Sequence, residues 1–297
     1  MWLCMLRPYW IKLTLASRGG IKWCTPARSE KLPLLLLLRR VGRGHMIDLH
    51  THILPGVDDG AVDLEVSLSM GRYGAEGGLN VVAATPHFYQ IPDWNLVKKK
   101  VAELQQEFDQ AEIPLKLVPG AELMIDLDLL ELDTMEIPTY GDGGKFCLIE
   151  LPLQQIPMYT EEVIFNLQTR GITPIIAHPE RYAAVVEDPN LALEWIRQGC
   201  LIQMNAGSIL GRFGSKILET AEIMLTHQMV HLVGSDAHGF ERRRLNLPEA
   251  RDALKNIVGS TVARHLTETN PDLILKGTFQ ATAKPQEYRK RKRFLFF

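Results

Sequence analysis

The 297-residue chain has almost no excess charge of either sign: 33 Lys and Arg stand against 35 Asp and Glu, a formal net charge of -2. A balance that even gives no global field to draw nucleic acid or a membrane surface. Cysteine is scarce too. Cys4, Cys24, Cys147 and Cys200 make no Cys-x-x-Cys pair. Two of them lie in apolar strand-like runs, the setting of buried reduced thiols in a cytosolic protein. Cysteine-based phosphate chemistry needs Cys-x5-Arg, but the positions six residues after each cysteine hold Trp10, Glu30, Leu153 and Ala206. A Gly-x-Ser-x-Gly nucleophile elbow is missing. So is a Gly-x-Gly-x-x-Gly after the first strand, which counts against dinucleotide binding. Composition is that of an ordinary globular chain, 46% hydrophobic and 23% charged.

The first 45 residues lack periodicity. They are basic, with Arg7, Arg18, Arg28, Arg39, Arg40 and Arg43 against one acid, Glu30. Their apolar run, Leu34 to Leu38, is far too short to span a bilayer. Arg39 and Arg40 follow that run and no small-x-small site appears, which is the wrong order for a secretory signal. Residues 1–45 are therefore read as a disordered extension or a wrongly assigned start, with Met46 opening the fold. Residues 46–280 form the folded unit. Residues 281–297 are a basic tail whose run Arg289-Lys290-Arg291-Lys292-Arg293 is expected to stay extended and solvated.

From Met46 onward, apolar strands alternate with helices. Strands are read at Met46 to Leu49, Leu79 to Ala84, Leu115 to Val118, Phe146 to Ile149, Pro174 to Ala177, Cys200 to Met204 and Val230 to Gly234. Helices fill the gaps, among them Asp63 to Gly77 and Asp93 to Gln110. The C-terminal pair is about Pro248 to Val258 and Ser260 to Glu268. Asn270-Pro271 reads as the cap and first residue of a last short helix. Strands that are apolar on consecutive residues belong to a parallel sheet covered on both faces. Seven such units without a change of pattern favour closure into a (βα)7 barrel over an open sheet.

The polar residues recur at one end of these strands. His50 and His52 follow the first, and residues i and i+2 of a strand share a face. Pro55-Gly56 and the Asp58-Asp59-Gly60 turn swing carboxylates back toward them. His87, Glu122, Glu150, His178, Asn205, and Asp236 with His238 follow the remaining six. In a βα barrel those positions share the rim where active sites are built. A lone His-x-His is weak evidence. With Asp59, however, the rim offers five imidazoles and four carboxylates, with Asn205 as a further oxygen donor. That exceeds the three protein ligands of a single catalytic zinc and suits two or three divalent ions sharing carboxylates. Mixed nitrogen and oxygen donors fit Mn, Fe, Zn or Mg.

The set Asp48-Leu-His-Thr-His, Asp58-Asp59-Gly60, Thr85-Pro86-His87, Gly120-Ala121-Glu122, His178-Pro-Glu-Arg181 and Gly234-Ser-Asp-Ala-His238 resembles the polymerase-and-histidinol-phosphatase (PHP) superfamily. More narrowly it is similar to the bacterial metal-dependent protein-tyrosine phosphatases of capsule and exopolysaccharide operons. The likeness covers about Met46 to Gly277. It implies a single-domain α/β fold, a distorted TIM-like (βα)7 barrel of PHP type, with a trinuclear centre, often manganese. Metal ligation is carried onto His50, His52, Asp59, His87, Glu122, Glu150, His178, Asp236 and His238. Phosphate binding is carried onto Arg181 and Arg243, the latter within the run Arg242-Arg243-Arg244. The implied partner is a phosphotyrosine protein, an inner-membrane-associated bacterial tyrosine kinase, met in the cytoplasm.

Such a site is expected to hydrolyse a phosphate monoester. Metals cancel the dianion's charge, and a water bridging two ions becomes the in-line nucleophile. Arg181 supplies a planar fork for two phosphate oxygens, or else pairs with Glu180 at the surface. Phe88, Tyr89 and Tyr182 either flank a substrate ring or pack the barrel top. The alternatives are a small-molecule phosphoesterase such as a histidinol phosphatase, a nuclease, for which the charge gives no support, and a non-catalytic metal-stabilised kinase-binding scaffold.

Overall fold

The computed structural model describes residues 5–6, 9–10, 45–282 and 284–289. The chain divides into two units, Met1–Gly42 and Arg43–Phe297. Of the first, Met5–Leu6 pairs antiparallel with Tyr9–Trp10; apart from these and His45, the expected extension lies outside the described residues. The second unit carries the fold.

Its strands are β1 (Met46–Thr51), β2 (Leu79–Ala84), β3 (Lys116–Pro119), β4 (Glu122–Met124), β5 (Phe146–Glu150), β6 (Thr173–Ala177), β7 (Leu201–Asn205) and β8 (Leu232–Gly234). All pairings among them are parallel. β1, β2 and β3 form one sheet, and β4 to β8 form another in sequence order. β3 and β4 are successive halves of one stave, separated by Gly120-Ala121. The first half pairs with β2, the second with β5. Seven staves therefore result from eight strands, as the sequence rhythm requires. The third strand, expected to end at Val118, runs to Pro119 and resumes after Gly120-Ala121 as β4.

The two sheets join at the rim. His52 N–H donates to Ala237 O at 2.8 Å and Asp236 N–H to His50 O at 2.8 Å. Glu122 N–H donates to Pro86 O at 3.0 Å. The backbone bonds that close the barrel thus lie on the site residues themselves. Alternate strand residues, Val81, Ala83, Leu148, Ile175, Leu201 and Leu232, pack together inside it. The other parity, including Val82, Ile149, Ile176, Ile202 and Val233, packs outward against the helices.

Helices α1 (Leu64–Glu76) and α2 (Trp94–Gln110) start on the predicted acids. Asp63 accepts from Val66 N–H at 3.0 Å and Asp93 from Leu96 N–H at 3.1 Å. α2 buries Val97, Val101, Leu104 and Phe108 as its stripe, and Leu96 is exposed. α3 (Thr160–Thr169), α4 (Ala183–Glu187), α5 (Asn190–Arg197), α6 (Ala206–Ile209) and α7 (Ser215–Thr226) follow. α8 (Leu247–Arg264) breaks at Gly259, whose φ of 82° only glycine adopts freely, and so matches the two helices expected there. A π turn at His265–Thr269 leads into α9 (Asn270–Leu275). Asn270 is not its cap. It is already helical, and its side chain donates to His231 O at 2.7 Å.

The start of the basic tail is held rather than free. Gln286 N–H donates to His227 O at 2.9 Å, and Tyr288 exchanges two hydrogen bonds with the Asn190 side chain. The Lys and Arg run from Lys290 onward lies outside the described residues.

His231 ties β7 to β8 from beneath the site: its Nδ1 accepts Ile202 N–H at 3.0 Å and its N–H donates to Ile202 O at 3.0 Å. Burial pulls this imidazole down to about 4. A histidine depressed in the folded state contributes stability above its unfolded pKa, and that stability is lost as pH falls toward the folded value. His231→Asn keeps an acceptor for Ile202 but cannot titrate. Between pH 7 and pH 4 the native protein should lose more stability than the variant, by about 3 kcal/mol at most. Parallel melting curves across that range would remove His231 from the account.

Candidate metal centre

β1 delivers His50 and His52 with their Nε2 atoms 3.4 Å apart. Each ring is oriented through its other nitrogen. His50 Nδ1 donates to Gln203 Oε1 at 3.0 Å, and His52 Nδ1 to Asp58 Oδ2 at 2.7 Å. Both Nε2 atoms are thereby left with lone pairs that face one another. Two buried lone pairs at that separation need a cation or a proton between them and their neighbours, so the donor set fits a metal. Asp58 also accepts from His87 N–H and Gly60 N–H, each at 3.0 Å. A Cβ at Gly60 would lie 2.1 Å from His52 O. Only glycine lets the Asp58-Asp59 turn close this tightly over β1.

Glu122, at the start of β4, stands among four imidazoles. Its Oε1 lies 3.2 Å from His50 Nε2 and 3.1 Å from His178 Nε2; its Oε2 lies 3.3 Å from His52 Nε2 and 3.2 Å from His87 Nδ1. Glu150 reaches His178 at 3.6 Å and His87 at 3.8 Å. Asp236 Oδ1 lies 3.5 to 3.6 Å from His50, His52 and His238. Asp59 lies 3.5 Å from His87 and 3.4 Å from His238.

All nine residues expected from the sequence thus fall into four overlapping groups whose donor atoms lie within 4.8 Å of one another. These are His52, Asp59, His87 and His238; His50, His52 and Asp236; His50, Glu122 and His178; and His87, Glu122 and Glu150. His178 and Asp236 adopt left-handed backbone, φ 34° and 53°, a strain that non-glycine residues carry mainly at functional positions.

Electrostatics follow from crowding. Burial pulls His50 and His52 down, but the carboxylates of Glu122 and Asp236, with Asp58 on His52, outweigh it; His50 ends above its ordinary value and His52 well above. Burial pushes Glu122 and Asp236 up, but the imidazoles beside them, with Arg243 on Asp236, hold both well below the carboxylate range. Glu150 is pushed up to about 8 by burial and by Glu122. His238 falls to about 3 through burial and repulsion from His52.

Some expectations need correcting. Asn205 is not an oxygen donor to the centre: its Nδ2 donates to Asp236 Oδ2 at 2.7 Å and its Oδ1 accepts Gly207 N–H. Arg181 does not pair with Glu180. The Glu180 carboxyl is buried, accepts from Asn205 N–H and Ser208 Oγ–H, and is pushed up to about 7 by burial. Arg181 instead donates to Asp236 Oδ2 at 3.0 Å, with its guanidinium 4.6 Å from the Phe213 ring. Arg243 donates to the same oxygen at 2.6 Å. Arg244 turns away to Glu249, and Arg212 holds the Arg242 carbonyl, so Arg243 is the one of the three that faces the centre. Tyr182 is fully buried, bonded to Ala177 O and Leu151 N–H, and Phe88 is buried too; both pack the barrel. Tyr89 remains exposed, 5.2 Å from the His87 ring. Cys147 and Cys200 are buried with their thiols pushed up, to about 12 for Cys200, and take no part.

A family model described as capsular polysaccharide synthesis, CpsB/CapC, matches residues 46–276. The chain belongs to the CpsB/CapC family. It is 33% identical over 259 residues to the tyrosine-protein phosphatase YwqE of Bacillus subtilis, covering 85% of this chain and 100% of that one. To the tyrosine-protein phosphatase CpsB of Streptococcus agalactiae serotype V it is 32% identical over 244 residues, 79% of this chain and 100% of the other. The fold matches a solved structure from a study of YwqE of Bacillus subtilis and CpsB of Streptococcus pneumoniae, described as metal-dependent tyrosine phosphatases. The TM-score is 0.78 at 30% identity, over 82% of this chain and 100% of that one.

The sequence singles out the candidate donors of this CpsB/CapC chain but not what orients them. Asp58 was visible in the turn, and Gln203 stood as the one polar residue of an apolar strand. Residues that orient a ligand typically change metal affinity 10- to 100-fold when lost. Asp58→Asn, which removes the negative charge paired with the His52 Nδ1–H, should weaken metal binding by about that factor. Native affinity in this variant would show that the Asp58 contact does not orient His52.

Proposed function

We propose that this chain is a metal-dependent phosphotyrosine-protein phosphatase that works with two or three divalent ions, manganese among those that activate it. The Glu122 carboxylate amid four imidazoles carries the reading, because one such group serves several ions at once. The printed activities of YwqE and CpsB supply the substrate class. Their place in capsular polysaccharide synthesis gives the context, a bacterial tyrosine kinase of polysaccharide export acting in the cytoplasm. No helix among the described residues is long and apolar enough to cross a membrane.

Bound divalent ions would supply charge neutralisation for the phosphoryl group and acidify water. His50, His52, Glu122, His178 and Asp236 would hold them on the buried side, and Asp59, His87, Glu150 and His238 nearer the mouth. Arg181 and Arg243 share one oxygen of Asp236. Guanidiniums poised there can turn part of their donor set to phosphate oxygens, which match the planar fork. Phe213 keeps the Arg181 plane in place. Asn205 and the two arginines fix which Asp236 oxygen faces the imidazoles. Nothing in the donor set is missing, as it would be in a scaffold that had lost turnover.

Purified protein, with metal content measured on the same sample, should hydrolyse a phosphotyrosine peptide with higher kcat/KM than histidinol phosphate. Chelation should abolish the activity and Mn²⁺ should restore it. Arg181→Lys should keep its metal yet lose at least about tenfold in kcat/KM, since an ammonium cannot reproduce the fork. Full turnover by metal-free protein, or a preference for histidinol phosphate, would reject the assignment.

A further inference from the structure

Beside the metal rim, the loop after His238 borders a shallow, open cleft of about 310 Å³, which the exposed Glu241 and Arg242 also line. His238 and Arg243 belong to the candidate metal centre and also line this cleft, so the cleft adjoins that centre. Its apolar side chains are Val66 of α1 and Phe240, the latter 45% exposed. Gly239 adds bare backbone. A Cβ there would meet no atom within 4 Å, and its φ lies outside the left-handed region. Glycine at 239 is therefore required neither by backbone conformation nor by packing; it leaves the cleft open.

The loop is held in shape before any ligand arrives. His238 and Gly239 N–H groups both donate to Arg243 O, at 2.7 and 3.1 Å. Arg212 Nη1 donates to Arg242 O at 3.1 Å. Arg244 donates to Glu249 at 2.8 Å and lies 5.0 Å from the Tyr73 ring. A preformed wall binds without first having to be ordered.

We propose that this cleft is the leaving-group subsite, which takes the aromatic ring of the phosphorylated side chain against Val66 and Phe240. The proposal rests on the phosphotyrosine reading and adds where the ring goes. In an aryl phosphate the ring begins at the ester oxygen, so its subsite must adjoin the phosphate position. A flat ring buries a large apolar area and pairs well with another aromatic. An alkyl phosphate such as phosphoserine leaves the cleft unfilled. Tyr89, 5.2 Å from the His87 ring, does not line this cleft.

Gly239→Leu adds a side chain at the cleft's lining from a Cβ that meets open space, and Phe240→Ala removes a wall. Both are measured as metal-loaded protein, with KM for a phosphotyrosine peptide set beside the inhibition constant of inorganic phosphate, which has no ring. Gly239→Leu should raise KM about tenfold or more and Phe240→Ala severalfold, the scale of losing an aromatic contact at a binding site. Metal content should not change, and inorganic phosphate should inhibit within about twofold of the native protein. If Gly239→Leu loses metal or melts early, Phe240→Ala alone decides the outcome. Native KM in the variants overturns the subsite, as does a phosphate inhibition constant that weakens in step with KM. A KM rise in Tyr89→Ala with none in Phe240→Ala places the ring at Tyr89 instead and also overturns it. Native protein inert toward the peptide rejects the phosphotyrosine reading itself, and the subsite with it.

Discussion

Glu122 meets four imidazole nitrogens at 3.1 to 3.3 Å, two on each oxygen, and the rest of the rim is arranged around that contact. A carboxylate so buried is tolerable only if positive charge comes with it. Protons can supply part of it, and the raised His50 and His52 show where they would sit. Protons cannot serve all the histidines at once, because His87, His178 and His238 are shifted the other way. Divalent ions resolve the conflict for the whole set, since each neutral imidazole then offers a lone pair instead of needing a proton. Metal binding to such a set is coupled to proton release.

The fold meets this demand with backbone. The hydrogen bonds that join β1 to the end of β8, and the β2 stave to β4, run through His52, Asp236 and Glu122. Ligand placement and barrel closure are therefore one event. His178 and Asp236 accept left-handed conformations to aim their side chains. Gln203, Asp58 and Asn205 fix the outward atoms of His50, His52 and Asp236. The centre is preorganised by elements that also hold the barrel together, which leaves little room for its donors to relax apart.

Much of this was legible because parallel strands are apolar on both faces, so a polar residue at a strand's end stands out. His87, Glu122, Glu150 and His178 announce themselves in this way, and helix caps such as Asp63 and Asp93 do likewise. What stayed hidden depends on three-dimensional neighbours. The bend at Gly120-Ala121 reads as a strand end until β5 is seen to pair beyond it. Asn205 has an oxygen and a nitrogen to offer, and only the nearness of Asp236 decides that the nitrogen is used. Arg181 had Glu180 as its adjacent acid in sequence terms, and burial of Glu180 against Ser208 leaves the guanidinium to Asp236. Tyr182 follows a rim residue, yet its hydroxyl is committed to Ala177 and Leu151. Docking of Tyr288 on Asn190, nearly a hundred residues away, has no local signature.

The central claim is that one carboxylate organises a centre of several ions. It is tested most directly by a crystal structure of metal-loaded protein, with anomalous scattering recorded at the absorption edge of the bound metal. The account predicts two or three ions at the end of the barrel, at least two of them coordinated by Glu122. A single ion, or ions that leave Glu122 uncoordinated, would contradict it.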